Sequence, residues 1–413
     1  MDVDAGSRGD DAAALSREPR VAQILAAVPF VVPFFQRLAL FQALIAQDRG
    51  DDGGLRPIEL RATIRRDRLF EDAYAELSVL DPSKLKGRIQ VIFVNEAGHE
   101  EAGIDGGGVF KEFLDELTKV AFGDSTCLFS QAEGGTDLVA TASAPADLRR
   151  LEFCGRVIGK ALYERVLVEP RFARFFLNKV LGKYNYFDDL SSLDADLYTH
   201  LVRLKRAGAD DVAALDLTFE LHSNGRDVEL CSGGRSTKVD AANRGRYVQL
   251  VAHHRLNVEC AAPSAAFLRG VRAVVPTRWL RMFDPEELQT LISGDEAPID
   301  VEDWRGHVHY GGGYHASQPI IQWFWDVVTD FDAKERAQLL RFVTSCSRPP
   351  LLGFSQLHPL LSIHRVPIQS DDERLPTSGT CMNLLKLPHY SSREALREKL
   401  LYAVQNAHGF ELS

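Results

Sequence analysis

The sequence has few cysteines, and their spacing excludes a metal-binding or disulfide framework. The cysteines are Cys127, Cys154, Cys231, Cys260, Cys346 and Cys381. They form no CxxC pair and no Cys/His cluster at metal-ligand spacing, so we expect no metal site. Sparse, unpaired cysteines are typical of a reducing intracellular compartment. We expect the protein in the cytoplasm, with the nucleus as an additional location.

Long hydrophobic runs and an excess of basic residues are also absent. The most apolar stretch, Val21–Phe35, is interrupted by Gln23, Pro29 and Pro33 and is too short to span a bilayer. We therefore expect no membrane insertion and interpret this stretch as part of a helix that packs on the body of the protein. The 48 basic and 58 acidic residues give a formal net charge of -10, which argues against nucleic acid as a partner.

Nucleotide-binding loops are missing as well. Three glycines, Gly106–Gly108, precede an apolar pattern at helical spacing that begins at Val109, and such a junction can hold a phosphate. However, no lysine followed by serine or threonine continues the loop as in a P-loop, and there is no GxGxxG motif. A tight turn is the favoured interpretation, and we expect no cofactor.

One cysteine stands in an unusual local sequence. Cys381 follows a polar run, Thr377–Thr380, and precedes an apolar, strand-like run, Met382–Leu387, that stops at Pro388. A loop-to-strand junction can hold a thiol near solvent on a rigid base, as a nucleophile or acyl carrier requires. A lone cysteine is more often a small buried hydrophobic residue, and the rest of the chain decides between the two interpretations.

Two familiar classes of cysteine enzyme do not fit this local sequence. A cysteine protease needs a partner histidine with asparagine or aspartate, and no local signature of those families surrounds Cys381. A cysteine phosphatase needs arginine six residues after the cysteine, where this chain has Leu387. Cys154 lies on the apolar stripe of a helix predicted over Leu148–Val166, so we expect it in the core.

The order of the predicted elements indicates an α+β protein. Residues 1–18 are charged and small and are expected to be disordered, and 19–57 form a helical extension, over Val21–Ala46, and a linker. The folded body begins near Ile58, with a helix over Ile64–Val79. A strand follows around Ile89–Phe93, and alternating residues after Leu215 indicate a small β segment.

A hinge is predicted between a larger lobe, 58–293, and a smaller lobe, 299–413. A helix begins after an N-cap at Asp284 and stops at Gly294, and the polar residues up to 298 favour a flexible connection. The hinge residues are Ser293, Gly294, Asp295 and Glu296.

The smaller lobe carries two predicted capping boxes, each formed by an N-cap residue and a glutamate three positions later. One pairs Asp332 with Glu335, and the other pairs Ser391 with Glu394 at the start of the last helix, Ser391–Asn406.

Several motifs occur in an order and spacing that resemble one family. They are Glu101–Phe113 (EAGIDGGGVFKEF), Gly155–Leu162 (GRVIGKAL), Glu286–Gly294 (EELQTLISG), Tyr310–Tyr314 (YGGGY), Trp323–Trp325 (WFW), Phe342–Pro349 (FVTSCSRP) and Leu375–Asn383 (LPTSGTCMN). Together they make the chain, over roughly Ile64–Ser413, resemble the catalytic domain of HECT-type E3 ubiquitin-protein ligases. The ending Gly409–Ser413 (GFELS) resembles the subfamily whose members often carry an upstream IQ motif, which this chain does not contain.

The resemblance implies a bilobal HECT fold and a role for Cys381. In this family the matching cysteine accepts ubiquitin from a conjugating enzyme as a thioester and passes it to a substrate lysine. Exchange between thioesters is nearly isoenergetic, so the acyl group keeps its reactivity through the relay. Thr380 and Asn383 match neighbours that could orient the thiol or stabilise the oxyanion.

The resemblance also implies the partners, which are a ubiquitin-charged conjugating enzyme, ubiquitin and protein substrates. Residues of about 170–260 match the subdomain that docks the conjugating enzyme. The docking residues implied are Leu197, Leu201, Leu217 and Tyr247. On sequence alone, an apolar patch there is also compatible with plain core.

Two further roles follow from the resemblance. The hinge would let the smaller lobe swing Cys381 between donor and acceptor. Phe410, fourth from the end, matches an aromatic residue needed for transfer to lysine. Glu411 could position that lysine, although a solvated terminal acid is an equal alternative.

The chain departs from the family pattern at three places. Gly379 stands where many members have histidine two residues before the cysteine, and His389 is not expected to replace it. Gly106 stands where the WW-domain class has a tyrosine of its noncovalent ubiquitin site. From the resemblance we expect the upstream substrate-binding region to be missing from this sequence or reduced to residues 1–60.

Two other functions stay open. One is a noncatalytic scaffold that binds a conjugating enzyme or ubiquitin, against which Thr380, Cys381 and Phe410 argue. The other is a cysteine hydrolase acting on ubiquitin conjugates, which would need a catalytic histidine that the sequence does not place.

Overall fold

The structure is a computed structural model that describes residues 25, 28–50, 58–95, 98–101, 108–223, 225–295, 297–357 and 359–406. Within them the helices are α1 (Phe34–Arg49), α2 (Leu69–Leu77), α3 (Pro82–Lys86), α4 (Gly108–Ala121), α5 (Pro145–Glu164), α6 (Arg174–Val180), α7 (Ala195–Arg206), α8 (Ala209–Ala214), α9 (Arg244–His253), α10 (Ala261–Val274), α11 (Thr277–Leu280), α12 (Pro285–Ser293), α13 (Val301–Gly306), α14 (Pro319–Asp330), α15 (Ala333–Thr344) and α16 (Arg393–Gln405). The strands are β1 (Ile58–Arg65), β2 (Arg88–Val94), β3 (Phe129–Gln131), β4 (Leu138–Ala140), β5 (Glu220–Ser223), β6 (Arg226–Glu229), β7 (Val308–Gly311), β8 (Leu361–Val366), β9 (Thr377–Gly379) and β10 (Leu384–Pro388). This mixture of helices and small sheets confirms the predicted α+β class.

The described chain divides into two compact units. The first contains residues up to 45, 119–163 and 170–289, and the second contains 46–118, 164–169 and 290–413. Each unit is assembled from segments that are far apart in sequence.

In the first unit, α5 and α10 pack with their backbones almost in contact, and glycines make this possible. A Cβ atom at Gly155 would stand 2.0 Å from the Phe267 carbonyl oxygen, and one at Gly270 would stand 1.9 Å from the Glu152 carbonyl oxygen. Only glycine fits at such a distance, which explains Gly155 of the Gly155–Leu162 motif and Gly270 on the facing helix. Cys154, on the same helix, is fully buried, so the prediction that it belongs to the core is confirmed.

The helix predicted over Val21–Ala46 is confirmed in part. Residues 21–24, 26 and 27 lie outside the described residues, Pro29–Val31 form a 3-10 turn, and α1 follows. The buried Arg37 of α1 donates hydrogen bonds to both carboxylate oxygens of Glu287 and to the Met282 carbonyl, so this helix is fixed to the first unit. Among the described residues, no helix combines the length and the apolar character needed to cross a bilayer.

The second unit is built on a four-stranded sheet in the order β7-β8-β10-β9. Strands β7, β8 and β10 run parallel, whereas β9 pairs antiparallel with β10. Leu385 and Leu387 of β10 are fully buried in the core beneath the sheet. The Trp304 ring stacks on Phe354 at a centroid distance of 5.1 Å within the same core.

One strand replaces part of a predicted helix. The expectation of helix over Ile64–Val79 is wrong at its start, because β1 runs through Arg65 and pairs in parallel with β2; α2 begins only at Leu69. Ala62 and Ile64 are buried while Arg61 and Thr63 are exposed, which is the alternation of a half-buried strand. The strand predicted around Ile89–Phe93 and the β segment after Leu215 are confirmed as β2 and as the hairpin of β5 and β6.

The two predicted capping boxes have different outcomes. The box of Asp332 and Glu335 is confirmed, because each side chain accepts a hydrogen bond from the backbone N–H of the other, at 2.8 and 3.0 Å. The box of Ser391 and Glu394 is wrong by one residue. Ser392 is the N-cap and its hydroxyl accepts from the Ala395 N–H at 3.1 Å, whereas the Ser391 backbone N–H donates to the Asp371 carboxylate.

Candidate active site

Cys381 lies in the loop of a β-hairpin. Strands β9 and β10 pair with Gly379 opposite Leu384, and the four residues between them form the loop. The first three, Thr380–Met382, make a 3-10 turn, which the Asn383 N–H closes by donating to the Thr380 carbonyl at 3.3 Å. Four-residue hairpin loops are most often built around such a turn, so the backbone at Cys381 is fixed by its hairpin.

The predicted strand from Met382 begins two residues late because Asn383 interrupts it. Asn383 has φ +47°, in the left-handed region, which asparagine tolerates better than most residues. The strand can therefore start only at Leu384. We call Thr380–Asn383 the cysteine turn.

Asn383 also anchors the cysteine turn to the segment around the start of β8. Its side chain is completely buried, and its Nδ2 donates to the Pro359 carbonyl at 2.6 Å. Its own carbonyl accepts from the Ser362 N–H of β8 at 2.9 Å. Its Oδ1 is buried without a hydrogen-bond partner among the described residues.

The cysteine turn has one packed side and one exposed side. Helix α15 packs against the turn and against β9 and β10, which gives it a rigid base. The Met382 side chain, in contrast, is 46% exposed. The backbone thus forms the loop-to-strand junction that the sequence predicts, while the side chain of Cys381 lies outside what the structure describes.

The segment leading into β9 is tied to residues 390–391 and to the middle of α16. The Tyr390 hydroxyl donates to the Arg374 carbonyl at 2.7 Å, and Lys399 forms an ion pair with Asp372. Together with the bond from Ser391 to Asp371, these contacts hold the 371–374 segment, and they limit the movement of the strand that enters the cysteine turn.

Several other cysteines are unsuited to act as nucleophiles. Burial raises the pKa of Cys154, of Cys346 and, to about 11, of Cys260, so their thiolate forms are disfavoured near neutral pH. Cys127 is exposed, and its thiol lies 3.4 Å from the Asp124 carbonyl oxygen. This exposed thiol is a useful reference for the reactivity of Cys381.

His389 is placed at the wrong end of β10 to serve the cysteine turn. Cys381 precedes this five-residue strand and His389 follows it, which separates their backbones by roughly 16 Å at the usual rise per residue. Burial and the nearby Arg365 lower the pKa of His389, which therefore favours its neutral form. The histidine missing at Gly379 is not replaced by His389.

The predicted hinge begins at the buried C terminus of α12. Ser293 is the last residue of α12 and only 2% exposed, and Gly294 follows with φ +79°, a conformation that favours glycine at a helix C terminus. Asp295 is exposed, and Glu296 lies outside the described residues. Phe410 and Glu411, which the resemblance linked to lysine transfer, are outside them too, as is Gly106.

The residues predicted to dock the conjugating enzyme differ in exposure. Leu201 and Tyr247 are 5% and 7% exposed and lie on α7 and α9, two helices that pack on each other. Leu197 and Leu217 are half-buried. Leu201 and Tyr247 are therefore part of the core in this structure, while Leu197 and Leu217 remain partly exposed to solvent.

Sequence reasoning missed the exposed apolar side chains in this part of the first unit. They are Tyr184, Tyr186, Leu215 and Val258, with exposed fractions of 52%, 69%, 55% and 49%. The signal in the sequence was the placement of Tyr184 and Tyr186 on either side of Asn185, which the structure shows to be buried.

Comparisons with known proteins agree on one family. The family described as HECT-domain (ubiquitin-transferase) matches residues 115–413. The chain is 41% identical over 413 residues to E3 ubiquitin-protein ligase UPL6 of Arabidopsis thaliana, which covers 97% of this chain and 40% of the relative. It is 41% identical over 440 residues to ubiquitin-protein ligase E3B of Mus musculus, covering 97% of this chain and 41% of the relative. It is 38% identical over 417 residues to E3 ubiquitin-protein ligase HUL5 of Saccharomyces cerevisiae, covering 95% of this chain and 45% of the relative.

The matches extend over nearly all of this chain but not of the relatives. The chain spans less than half the length of these three curated proteins.

Proposed function

Because the chain belongs to the HECT-domain (ubiquitin-transferase) family, we propose that it is the catalytic part of an E3 ubiquitin-protein ligase that carries ubiquitin on Cys381. The observation that carries the proposal is the cysteine turn. It places the backbone of Cys381 in a hairpin loop that is packed on α15 at one side and open at the other. A group that must meet two large partners in succession needs such a position.

The reaction consists of two acyl transfers. The Cys381 thiolate attacks the carbonyl carbon of the thioester that links ubiquitin to the conjugating enzyme, and the C–S bond to that enzyme breaks, releasing its thiolate. A lysine amine of the substrate then attacks the new thioester and loses a proton. The bond to Cys381 breaks, and an isopeptide bond remains.

The residues next to Cys381 hold the cysteine turn in position and do not act as acid or base catalysts. Asn383 holds the turn on Pro359 and Ser362, and Thr380 closes the turn through its carbonyl. Phe410 and Glu411 are proposed to act in the transfer to lysine, with the resemblance as the support.

We assign docking of the conjugating enzyme to the first unit. Leu197 and Leu217, which keep surface, contribute directly, whereas Leu201 and Tyr247 support them from the core. A rotation about residues 294–298 then brings Cys381 from this enzyme to the acceptor lysine. The formal charge of -10 suits basic protein partners, and we place the activity in the cytoplasm.

A single-turnover charging assay tests the proposal. The protein is mixed with ubiquitin-loaded conjugating enzymes, and the ubiquitin adduct is followed on gels with and without reductant. Wild type and Cys127→Ala should form a reductant-sensitive adduct, whereas Cys381→Ala should not. Cys127 is the control because its thiol is exposed and lies outside the cysteine turn.

Two results would contradict the proposal. An adduct that persists in Cys381→Ala would place the thioester elsewhere. Binding of charged conjugating enzymes without any adduct on the wild type would indicate a scaffold.

A further inference from the structure

The C terminus of α12 is capped by an arginine from another part of the second unit. The last carbonyls of a helix lack partners within it, and the Ser293 carbonyl belongs to a residue that is only 2% exposed. The Arg348 guanidinium donates a hydrogen bond to this carbonyl through Nη1. A cation at this end of a helix is also favoured by the helix dipole.

The same arginine covers the glycine that follows the helix. A Cβ atom at Gly294 would stand 3.0 Å from Arg348 Cδ and 3.0 Å from Leu167 Cδ1, so the alkyl part of Arg348 lies directly on Gly294. Next to it, the Val168 N–H donates to the Ile292 carbonyl at 2.9 Å. The end of α12 is thus held by Arg348 from one segment and by 167–168 from another.

Arg348 is connected to the cysteine turn through α15. It lies four residues beyond the end of α15, the helix that packs against the turn, and the Cys346 thiol lies 3.5 Å from the Arg348 carbonyl oxygen. A rotation of the cysteine turn about residues 294–298 would therefore carry Arg348 with it. Such a rotation has to break the bond between Arg348 and Ser293.

A polar cavity beside this contact offers the arginine other partners. It has a volume of about 240 Å³, and Asp115, Glu169 and Ser347 are among the residues that line it together with Ser293 and Arg348. Glu169 already forms an ion pair with Arg341 at 3.8 Å. Because a carboxylate accepts several hydrogen bonds and Arg348 borders the same space, the guanidinium can join these carboxylates after it leaves Ser293.

We propose that the contact of Arg348 with Ser293 and Gly294 is a conformational latch. It holds the start of the hinge in the arrangement seen here and sets how readily Cys381 moves between the two transfer steps. The proposal rests on the proposed function for its catalytic consequence, but its structural part can be tested without any catalysis.

Hydrogen exchange of the full chain tests the structural part. In wild type the Gly294 N–H is protected by a hydrogen bond to the Thr290 carbonyl at 2.8 Å. In Arg348→Ala, exchange at residues 293–295 should be about fivefold faster or more, because the latch no longer opposes local opening. Arg348→Lys keeps one donor and the charge, so it should restore part of the protection.

Arg336 provides a matched control in the same unit. Its guanidinium caps the C terminus of α14, donating to the Val328 carbonyl at 3.0 Å and the Thr329 carbonyl at 2.6 Å. Arg336→Ala removes the same kind of cap far from the hinge in sequence. It should speed exchange near α14 and leave residues 293–295 unchanged.

Catalysis supplies the second readout. Two rates are measured separately: transfer of ubiquitin from a charged conjugating enzyme to Cys381, and transfer of ubiquitin from Cys381 to free lysine. In Arg348→Ala the ratio of the two rates should change by about threefold or more, since a latch affects one position of the hinge more than the other. In Arg336→Ala the ratio should match that of wild type.

Two outcomes would overturn the latch. One is unchanged exchange at 293–295 in Arg348→Ala. The other is a proportional fall of both rates, which a merely structural contact would produce. If the wild type forms no thioester at all, the proposed function fails, whereas the exchange comparison still decides whether Arg348 holds the hinge.

Discussion

Asn383 and Pro359 are joined by a partly buried hydrogen bond of 2.6 Å, from Nδ2 to the carbonyl oxygen, and this bond fixes the cysteine turn to the segment that precedes β8. Asn383 combines two properties at one position. Its backbone adopts the left-handed conformation that ends the turn, and its side chain ties the turn to the sheet.

Substitutions at Asn383 should separate these two properties. Asn383→Gly keeps the left-handed backbone and loses the bond to Pro359, whereas Asn383→Ala loses the bond and strains the backbone as well. We expect Asn383→Ala to be less stable than Asn383→Gly by about 1–2 kcal/mol in urea unfolding. Both should load ubiquitin more slowly than wild type in single-turnover assays. Equal stabilities of the two variants would contradict the assigned role of the backbone.

Gly294 should be sensitive to a single added methyl group. At φ +79°, and with Arg348 and Leu167 3.0 Å from the position of a Cβ atom, Gly294→Ala should lower the free energy of unfolding by about 1–2 kcal/mol. Gly306 at the end of α13 has nothing within 4 Å of its Cβ position, so Gly306→Ala is the control and should be neutral or slightly stabilising. Urea unfolding of the two variants measures the difference, and a Gly306→Ala variant as unstable as Gly294→Ala would argue against backbone strain.

Tyr314 of the YGGGY motif should stabilise the sheet through its hydroxyl group. The buried Tyr314 hydroxyl donates to the Leu387 carbonyl of β10 at 3.1 Å. Tyr314→Phe leaves this carbonyl with one partner fewer and should cost about 1–3 kcal/mol of stability. Tyr402→Phe, at a side chain that is 51% exposed, should change stability little. Thermal unfolding of both variants checks the prediction, which fails if their midpoints coincide.

Stability in acid should depend on Glu101. The hydrogen bonds from Arg66 to Glu101, both 2.7 Å, lower the pKa of this carboxyl group below its value in the unfolded chain. The folded state therefore favours the ionised form. Glu101 therefore contributes fully to the free energy of unfolding above its unfolded pKa of about 4.3, and this contribution is lost as the pH falls through the lower pKa of the folded state.

The variant Glu101→Gln should accordingly be less stable than wild type at pH 7, and the difference should shrink toward about pH 3. Denaturant unfolding across this range gives the measurement. Glu100→Gln, at the exposed neighbouring position, serves as the control and should follow the wild-type profile. A constant difference between Glu101→Gln and wild type at all pH values would show that the ion pair is not its source.

Local sequence rules predicted the elements whose determinants are local. The reciprocal bonds of Asp332 and Glu335 depend on residues three positions apart, and they occur as predicted. At Ser391 and Ser392 two adjacent serines compete for one cap. The choice depends on Asp371, twenty residues upstream, which binds Ser391.

Features that depend on distant partners could not be predicted in the same way. Strand β1 shows an alternating pattern, but its pairing with β2 brings together residues such as Ala62 and Val91. Likewise, the burial of Leu201 and Tyr247 depends on how α7 packs on α9, and both helices looked equally suited to a surface patch from their sequences. Cys381 was found because many motifs agreed, since its own surroundings also allowed a buried cysteine.

The position of β10 has a consequence for synthesis of the chain. Within the part of the chain that the structure describes it is the strand nearest the C terminus, yet it lies inside the sheet between β8 and β9. A chain that ends just after Asn383 would contain the reactive cysteine but neither the strand that closes its hairpin nor the partner of β8. A nascent or truncated chain should therefore lack ubiquitin-transfer activity and expose unpaired strand edges until the residues beyond the cysteine are in place.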